Sequence, residues 1–247
     1  MRKDFVILLT ACVNPNGMSF TYLQDKDIRL KQYEEALEWY LRNTQYPIVF
    51  VENTGYDITC RFEAAIISGR LEVLTFQGNN YDRSKGKGYG EALIIQYAIT
   101  NSQLLKKASI IIKITGRLKI SNLKYLLKEI RKVDTVYVKF ASRKEKNVLM
   151  FESFFFAAPS NFFDDYFLKH IDEIDDSKLC YFEKVLYDTV IEWRIAGHKQ
   201  VELLLPILVD GVSGSTGRAY ETSRCPYLMS FVKWIYHKFP LYQRNRL

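Results

Sequence analysis

The stretch ASIIIKITGR, residues 108–117, decides the fold predicted for this chain. Its apolar run is typical of a strand buried on both faces, as in a parallel sheet that helices cover on each side. Thr115, Gly116 and Arg117 follow where such a strand would end. In open α/β sheets, ligands bind beyond the carboxyl ends of the strands. The stretch therefore predicts a sheet and also the edge of that sheet at which a site should lie.

Strand-like and helix-like segments alternate on both sides of this stretch, which predicts right-handed βαβ units and a mostly parallel sheet flanked by helices. From about residue 160 onward the pattern becomes more helical. The other strand-like runs are DFVILLTACV (4–13), YPIVFVENTG (46–55), LEVLTF (71–76), TVYVKFA (135–141) and NVLMFESFFFAAP (147–159).

Length and charge limit the classes of protein to consider. A chain of 247 residues is expected to form one domain with at most a small appendage, which we place at 1–225 and 226–247. The net charge of +7, from 35 basic and 28 acidic residues, favours anionic partners. Four widely spaced cysteines form no zinc-binding pattern and suit a reducing compartment. We therefore predict a cytoplasmic protein.

Two other predicted strands end in polar residues. Thr10 and Ala11 stand near the end of the first, and Glu52 and Asn53 end the second. Because the carboxyl ends of parallel strands meet at one edge of a sheet, we expect these residues beside Thr115. A carboxylate and an amide can hydrogen-bond a ribose or a base edge. The alternative is a simple turn, since asparagine and glycine are turn formers.

A basic, glycine-rich segment precedes the next helix-like run. We interpret RSKGKGYGEAL, residues 83–93, as a loop that leads into a helix from Glu91. Glycines let backbone N–H groups approach an anion, and the helix offers its positive end. The spacing does not match a dinucleotide-binding fingerprint, and a solvated loop is the alternative. The candidates for donor binding here are Lys85, Gly86, Lys87 and Gly88.

Arg117 and a second glycine-rich segment are further candidates for binding an anionic ligand. Arginine carries a fixed charge suited to phosphate, although a surface arginine after a strand is common. In GVSGSTGR, residues 211–218, glycines recur every third residue before an arginine. A phosphate-cradling turn and a plain mobile loop fit that pattern equally well.

Four acidic residues are candidates for a general base: Glu152, Asp164, Asp165 and Glu183. Glu183 stands among aromatic residues in CYFEKVLYD, residues 180–188. Asp164 and Asp165 form an acidic pair that could also be a helix start. A general base must be a carboxylate close to the attacking hydroxyl, whereas most acidic residues in helices only face solvent.

In order and spacing, several motifs resemble bacterial GT-A-type glycosyltransferases of capsule and lipopolysaccharide biosynthesis. The resemblance covers roughly residues 5–170, with a weaker similarity at YFEKVLYD. It implies a GT-A-like (Rossmann-like) fold. It rests on LLTACVNP, IVFVENTGYD, KGKGYGEAL, IKITGRLKISN and FESFFFAAPSNFFDDYF.

The resemblance implies that a nucleotide-sugar donor binds across the carboxyl edge of the sheet. Such enzymes usually hold a divalent metal with an Asp-X-Asp motif where this chain has ITGR, so no metal ligand is assigned. A metal can stabilise the departing nucleoside diphosphate, and so can fixed cations. We therefore expect Arg117, helped by Lys85 or Lys87, to take that role. The resemblance also points to Glu183 as the base.

The last segment, residues 226–247, is aromatic and basic and contains no acidic residue. It could lie in an anionic membrane interface or dock as a helix on the core. The leading interpretation is a glycosyltransferase that acts on a saccharide acceptor, lipid-linked at the inner face of the membrane. The alternatives are a nucleotidyltransferase acting on sugar phosphates and a nucleic-acid-binding module. Dispersed basic residues without a recognised motif oppose the last, so we expect no nucleic-acid partner.

Overall fold

The computed structural model describes residues 4–19, 21–141, 149–220 and 226–238. Strands and helices alternate along much of the chain. The strands are β1 (Phe5–Ala11), β2 (Ile48–Glu52), β3 (Leu71–Thr75), β4 (Ile110–Thr115), β5 (Lys119–Ile120), β6 (Thr135–Val138), β7 (Phe155–Ala158), β8 (Lys199–Glu202) and β9 (Val209–Asp210). The helices are α1 (Lys26–Asn43), α2 (Glu63–Ile67), α3 (Gly86–Asn101), α4 (Leu123–Glu129), α5 (Ser160–Asp165), α6 (Phe182–Ile195) and α7 (Pro226–Lys238).

Seven of these strands form one sheet in the order β3-β2-β1-β4-β7-β6-β8. Neighbouring strands are parallel except that β7 runs antiparallel to both β4 and β6. The predicted mostly parallel sheet flanked by helices is therefore confirmed. The chain reverses between β6 and β7, where Phe140 and Phe151 pair in an antiparallel bridge. Strands β5 and β9 form a separate two-stranded sheet.

The central strands are mainly apolar because helices cover both faces of the sheet. Ile7 and Leu9 of β1 lie in one apolar layer with Leu37 of α1. Leu8, on the opposite face of the same strand, lies in a second layer with Ile95 of α3. Alternate side chains of a strand point to opposite faces, so a strand buried on both sides shows no polar alternation.

Helix α3 begins at Gly86, so the predicted loop over residues 83–90 is wrong. Its glycines pack closely against neighbouring elements. A β-carbon on Gly88 would lie 3.1 Å from the β-carbon of Phe182, and one on Gly90 would clash with the hydroxyl of Tyr81. The glycines therefore allow a helix to approach its neighbours, and the helix contacts offset the cost of glycine in a helix interior.

The C-terminal part is more helical, as predicted, with α5, α6 and α7 after residue 160. Strand β8 is added at the edge of the main sheet, parallel to β6. Within the described residues, no helix combines the length and apolarity needed to cross a membrane. Residues 239–247 of the predicted tail lie outside the described part of the chain.

His170 links the short turns after α5 to α6. Its Nδ1 lies 2.7 Å from Glu173 Oε1, and its Nε2 lies 2.7 Å from Glu192 Oε2. The hydrogen bond to Glu173 raises the pKa of His170 above its ordinary value of 6.5, against partial burial and with help from Glu192. The folded state therefore favours the protonated imidazole.

We expect the variant His170→Gln to be destabilised at acidic pH and close to wild type at alkaline pH. A folded-state pKa raised above the unfolded value gives stabilisation that is complete below 6.5 and is lost as the pH rises through the folded value. The effect is measured as the difference between the melting temperatures of the two proteins at a series of pH values from below to above 6.5. A difference between them that stays constant or grows with pH would contradict the assignment.

Candidate active site

A cleft of about 470 Å³ opens at the carboxyl ends of β1, β2 and β4. The first turns of α3, the start of α6, the residues that lead into β7 and the loop after β9 supply its other walls. Residues singled out in the sequence that line it are Thr10, Ala11, Asn53, Lys87, Gly88, Thr115, Arg117, Glu152 and Glu183.

Arg117 is a buried cation of this cleft, with 7% of its surface exposed, and Arg29, which also lines the cleft, is 5% exposed. Its Nη1 donates hydrogen bonds to Gln32 Oε1 at 3.2 Å and to the carbonyl oxygen of Val212 at 3.3 Å. Its Nε has no hydrogen-bond partner among the described residues. No carboxylate in the described ranges forms a salt bridge with its guanidinium. A buried cation without a paired acid attracts an anionic ligand.

Lys87 lies in the same cleft as Arg117, near the start of α3. Its ammonium contacts the hydroxyl of Ser215. The cleft walls desolvate the ammonium and lower the pKa of Lys87, an effect that the nearby Glu183 carboxylate opposes. Lys87 and Arg117 therefore line the same volume.

The loop after β9 forms one wall of the cleft as a closed turn. Val212 and Ala219 pair in an antiparallel bridge, and the N–H of Ser213 donates to the carbonyl oxygen of Arg218 at 2.8 Å. A β-carbon on Gly214 would lie 2.6 Å from Nη2 of Arg117. The structure therefore places residues of GVSGSTGR in the cleft wall beside Arg117.

Glu183 stands in the first turn of α6 and reaches the cleft from the side of β7. Ser153 Oγ donates a hydrogen bond to Glu183 Oε1 at 3.0 Å. A carboxylate at the edge of a cleft can accept a proton from a bound hydroxyl, so this position suits the base predicted from the sequence.

Two further groups of the cleft stay neutral at physiological pH. Burial raises the pKa of the Cys12 thiol to about 11, and burial raises the pKa of the Tyr220 hydroxyl to about 12. A thiol with so high a pKa is a poor nucleophile. The charged groups available for chemistry are therefore the cations and carboxylates.

An ion pair that was not predicted from the sequence lies at the floor of the cleft, where Glu91 lines the cleft and its partner Lys113 is buried. Lys113 of β4 is fully buried, and its Nζ lies 2.6 Å from Glu91 Oε1 on α3. The same Glu91 oxygen accepts hydrogen bonds from Thr10 Oγ1 at 2.7 Å and Thr115 Oγ1 at 2.9 Å. Lys113 also donates to the carbonyl oxygen of Ser153 at 2.6 Å. The pair thus joins the ends of β1 and β4 to α3 and to the chain entering β7.

The electrostatics of this pair keep Glu91 ionised. Burial alone would raise the pKa of Glu91, but the charge of Lys113 and the hydrogen bonds from its partners outweigh burial and lower it. Burial lowers the pKa of Lys113, and Glu91 opposes that shift. A lone lysine within an apolar strand was the signal in the sequence that could have revealed the pair.

Glu52 and Asn53 have different roles in the structure. Glu52 is fully buried and accepts hydrogen bonds from the backbone N–H groups of Val13 at 2.8 Å, Thr54 at 2.8 Å and Tyr56 at 2.9 Å. It does not line the cleft, so its carboxylate organises the turns after β1 and β2. Asn53 lines the cleft, and its buried Oδ1 has no partner among the described residues.

Four predicted residues lie away from the cleft. The ammonium of Lys85 lies 4.0 Å from the centre of the Tyr89 ring, and Gly86 begins α3 with a φ of 77°. Asp164 and Asp165 are exposed on α5, because Phe162 and Phe163 take its buried face. These four residues bound no part of the observed cleft.

Gly116 does not line the cleft, but it lies between Thr115 and Arg117, which do. Its N–H donates to the carbonyl oxygen of Thr10 at 2.9 Å, and a β-carbon there would lie 2.8 Å from that oxygen. Glycine is therefore required by the close approach of β1 and β4. Within the described part of the chain, no group of three or more His, Cys, Asp or Glu side chains is placed to hold a metal ion.

Comparison with known proteins gives similarities of fold only. No family model matches the chain, and no curated protein matches it. Solved structures that it resembles include a protein described as a nucleotide-diphospho-sugar transferase from Desulfovibrio desulfuricans, with 12% identity, a TM-score of 0.47, and 81% of this chain and 80% of that chain covered. Another is the inositol-1-phosphate CTP transferase from T. maritima, with 12% identity, a TM-score of 0.47, and coverage of 94% and 97%.

A third is the mannosyltransferase Ktr4p from S. cerevisiae, with 11% identity, a TM-score of 0.39, and coverage of 74% and 62%. At this level of similarity the neighbours carry no argument about function. The chemistry of the cleft rests on the residues of this chain.

Proposed function

We propose that this protein is a glycosyltransferase that moves a sugar from a nucleotide-sugar donor to an acceptor hydroxyl. The observation that carries the proposal is the shared cleft: Arg117, a buried cation with no carboxylate within salt-bridge distance in the described residues, lines the same volume as Glu183. A cation there suits a diphosphate, and a carboxylate suits an attacking hydroxyl.

The donor would bind with its phosphates toward Arg117 and Lys87. Both side chains line the cleft at the carboxyl edge of the sheet, where ligands of α/β proteins bind. Asn53 Oδ1 has no hydrogen-bond partner in the part of the chain that the structure describes, and an N–H group of the nucleotide base would satisfy it.

In the proposed reaction, the acceptor oxygen attacks the anomeric carbon as the bond from that carbon to the phosphate oxygen breaks. Glu183 takes the proton of the acceptor hydroxyl. The nucleoside diphosphate leaves with the bonding electron pair, and Arg117 and Lys87 stabilise its added negative charge. Fixed charges in a partly closed cleft stabilise such charge without reorganising.

The finer part of the proposal concerns the acceptor. The sequence resemblance supports a saccharide, lipid-linked and destined for a surface polysaccharide such as capsule or lipopolysaccharide. A cytoplasmic enzyme would meet such an acceptor at the inner face of the membrane.

A nucleotidyltransferase is the second candidate, because the same cations would suit a nucleoside triphosphate. The two reactions differ in their need for a base. A sugar phosphate attacks as an oxyanion that is already ionised, so nucleotidyl transfer has no proton for Glu183 to accept. A sugar hydroxyl must lose its proton, so glycosyl transfer requires the carboxylate.

One assay separates the two candidates. The protein is incubated with UDP-, GDP-, CMP- and dTDP-sugars together with a mixture of saccharide acceptors, and acceptor-dependent nucleotide release is measured. In parallel it receives each nucleoside triphosphate with a sugar 1-phosphate, and pyrophosphate release is measured. We expect nucleotide release from at least one donor class. Pyrophosphate release without sugar transfer would overturn the proposal in favour of the second candidate, and no turnover in either arm would overturn both.

A further inference from the structure

Ser153 lies in the segment that enters β7, and β4 holds its backbone in place. The carbonyl oxygen of Ser153 accepts a hydrogen bond from the buried Nζ of Lys113 at 2.6 Å. The next carbonyl oxygen, that of Phe154, accepts one from the N–H of Thr115 at 3.0 Å. Lys113 is in turn paired with Glu91, whose Oε1 lies 2.6 Å from the same Nζ. The backbone at Ser153 is therefore attached to the floor of the cleft.

The side chain of Ser153 connects this segment to α6. Its Oγ donates a hydrogen bond to Glu183 Oε1 at 3.0 Å, and the N–H of Phe151 donates to the carbonyl oxygen of Glu183 at 3.3 Å. The first turn of a helix fixes the backbone of Glu183 but still allows its side-chain bonds to rotate between rotamers. A hydrogen bond to an ionised carboxylate is roughly twice as strong as one between neutral groups. The hydroxyl can therefore select one orientation of the carboxylate.

These contacts form a continuous path from the buried ion pair to the base, in the order Glu91, Lys113, Ser153 and Glu183. We propose that Ser153 is a positioning residue of the transfer reaction, which holds the Glu183 carboxylate where an acceptor hydroxyl can pass its proton to it. A general base must lie within hydrogen-bond reach of the proton that it takes. The inference rests on the proposed function, because Glu183 acts as a base only in glycosyl transfer.

Replacing Ser153 with alanine removes its side-chain contact and leaves its backbone contact in place. The hydrogen bond from Lys113 goes to the backbone carbonyl oxygen, which every residue has. The serine side chain is half-buried at the wall of the cleft, so alanine leaves no cavity in the apolar core. We therefore expect Ser153→Ala to fold with a melting temperature close to that of wild type.

The test is steady-state kinetics of wild type, Ser153→Ala and Ser153→Thr, with the nucleotide-sugar and the saccharide mixture that give turnover with wild type. A displacement of about 1 Å can cost about 10²-fold in rate, but Glu183 has further interactions that limit its displacement. We therefore expect Ser153→Ala to lower kcat about tenfold. The donor KM should be unchanged, because the proposed phosphate contacts come from Arg117 and Lys87. Threonine keeps the hydroxyl donor, so Ser153→Thr should recover most of the loss.

A second background separates positioning from a structural role. If Ser153 acts through Glu183, Ser153→Ala should change kcat by less than about twofold in the Glu183→Gln protein, where the base is already absent. The matched control Ser68→Ala removes an exposed hydroxyl that donates to the carbonyl oxygen of Ala65 at 2.9 Å, outside the cleft, and it should behave as wild type.

The outcomes distinguish this inference from the proposed function. Transfer by wild type would overturn the inference alone if Ser153→Ala kept a normal kcat, if its loss were the same in both backgrounds, or if threonine recovered nothing. No transfer by wild type would overturn the proposed function and this inference with it.

Discussion

Replacing Glu183 with glutamine is expected to lower kcat for sugar transfer by about 10²–10⁴-fold, the usual contribution of a general base. Glutamine keeps the shape of the side chain and can still accept the hydrogen bond from Ser153 Oγ, which spans 3.0 Å to the present carboxylate. Its amide cannot take the proton of an acceptor hydroxyl. Donor affinity should be unchanged, because the proposed phosphate contacts come from Arg117 and Lys87.

The measurement is nucleotide release and donor titration for wild type, Glu183→Gln and Asp165→Asn. Asp165 is the matched control, since it is an exposed carboxylate outside the cleft. Its variant should behave as wild type. Normal turnover by Glu183→Gln would remove Glu183 from the mechanism, and it would favour nucleotidyl transfer if pyrophosphate were the product.

The variant Lys113→Met is expected to lose about 3 kcal/mol of unfolding free energy, the low end of the range for breaking a buried ion pair. The low end applies because the Glu91 side chain keeps 20% of its surface exposed, where water screens its charge. Removing the lysine leaves the partly desolvated Glu91 carboxylate without its cation. Chemical denaturation monitored by circular dichroism measures the change.

The double variant Lys113→Met, Glu91→Met distinguishes a missing charge from a missing shape. Replacing both partners of a buried pair with apolar residues is often neutral or stabilising, so most of the lost stability should return. A double variant as unstable as Lys113→Met alone would show that packing, and not the unpaired carboxylate, accounts for the loss.

The sheet was predictable because its central strands are buried on both faces. Continuous apolar runs as short as those of β1 and β4 are typical of such strands, and the polar residues that follow them marked the correct edge. The reversed direction of β7 was not predictable from its apolar run. Burial on both faces produces the same pattern in a parallel and an antiparallel strand.

The glycine-rich segment misled the prediction because glycine serves two purposes. In a loop it allows unusual backbone angles, and in a packed helix it allows close approach. Gly88 belongs to the second case, since it lies against Phe182, a residue far away in sequence. The start of α3 depends on that tertiary contact, which local composition does not encode.

The roles of the acidic residues also depended on tertiary contacts that the local sequence does not show. Glu52 was expected at the ligand, but three backbone N–H groups surround its carboxylate in a turn that closes only in the folded chain. Glu91 was overlooked because its partner Lys113 stands 22 residues away on a different element. Strand ends could be located from the pattern, whereas the partners of each side chain required the fold.

The central claim is that Arg117 holds the phosphates of an activated sugar in this cleft. Isothermal titration of UDP-, GDP-, CMP- and dTDP-sugars in EDTA, into wild type, Arg117→Met and the exposed control Arg42→Met, tests it most directly. We predict that at least one donor binds wild type and Arg42→Met equally, and binds Arg117→Met about 10²-fold more weakly. Binding by Arg117→Met as tight as by wild type, or binding by wild type only after Mg²⁺ or Mn²⁺ is added, would contradict the claim.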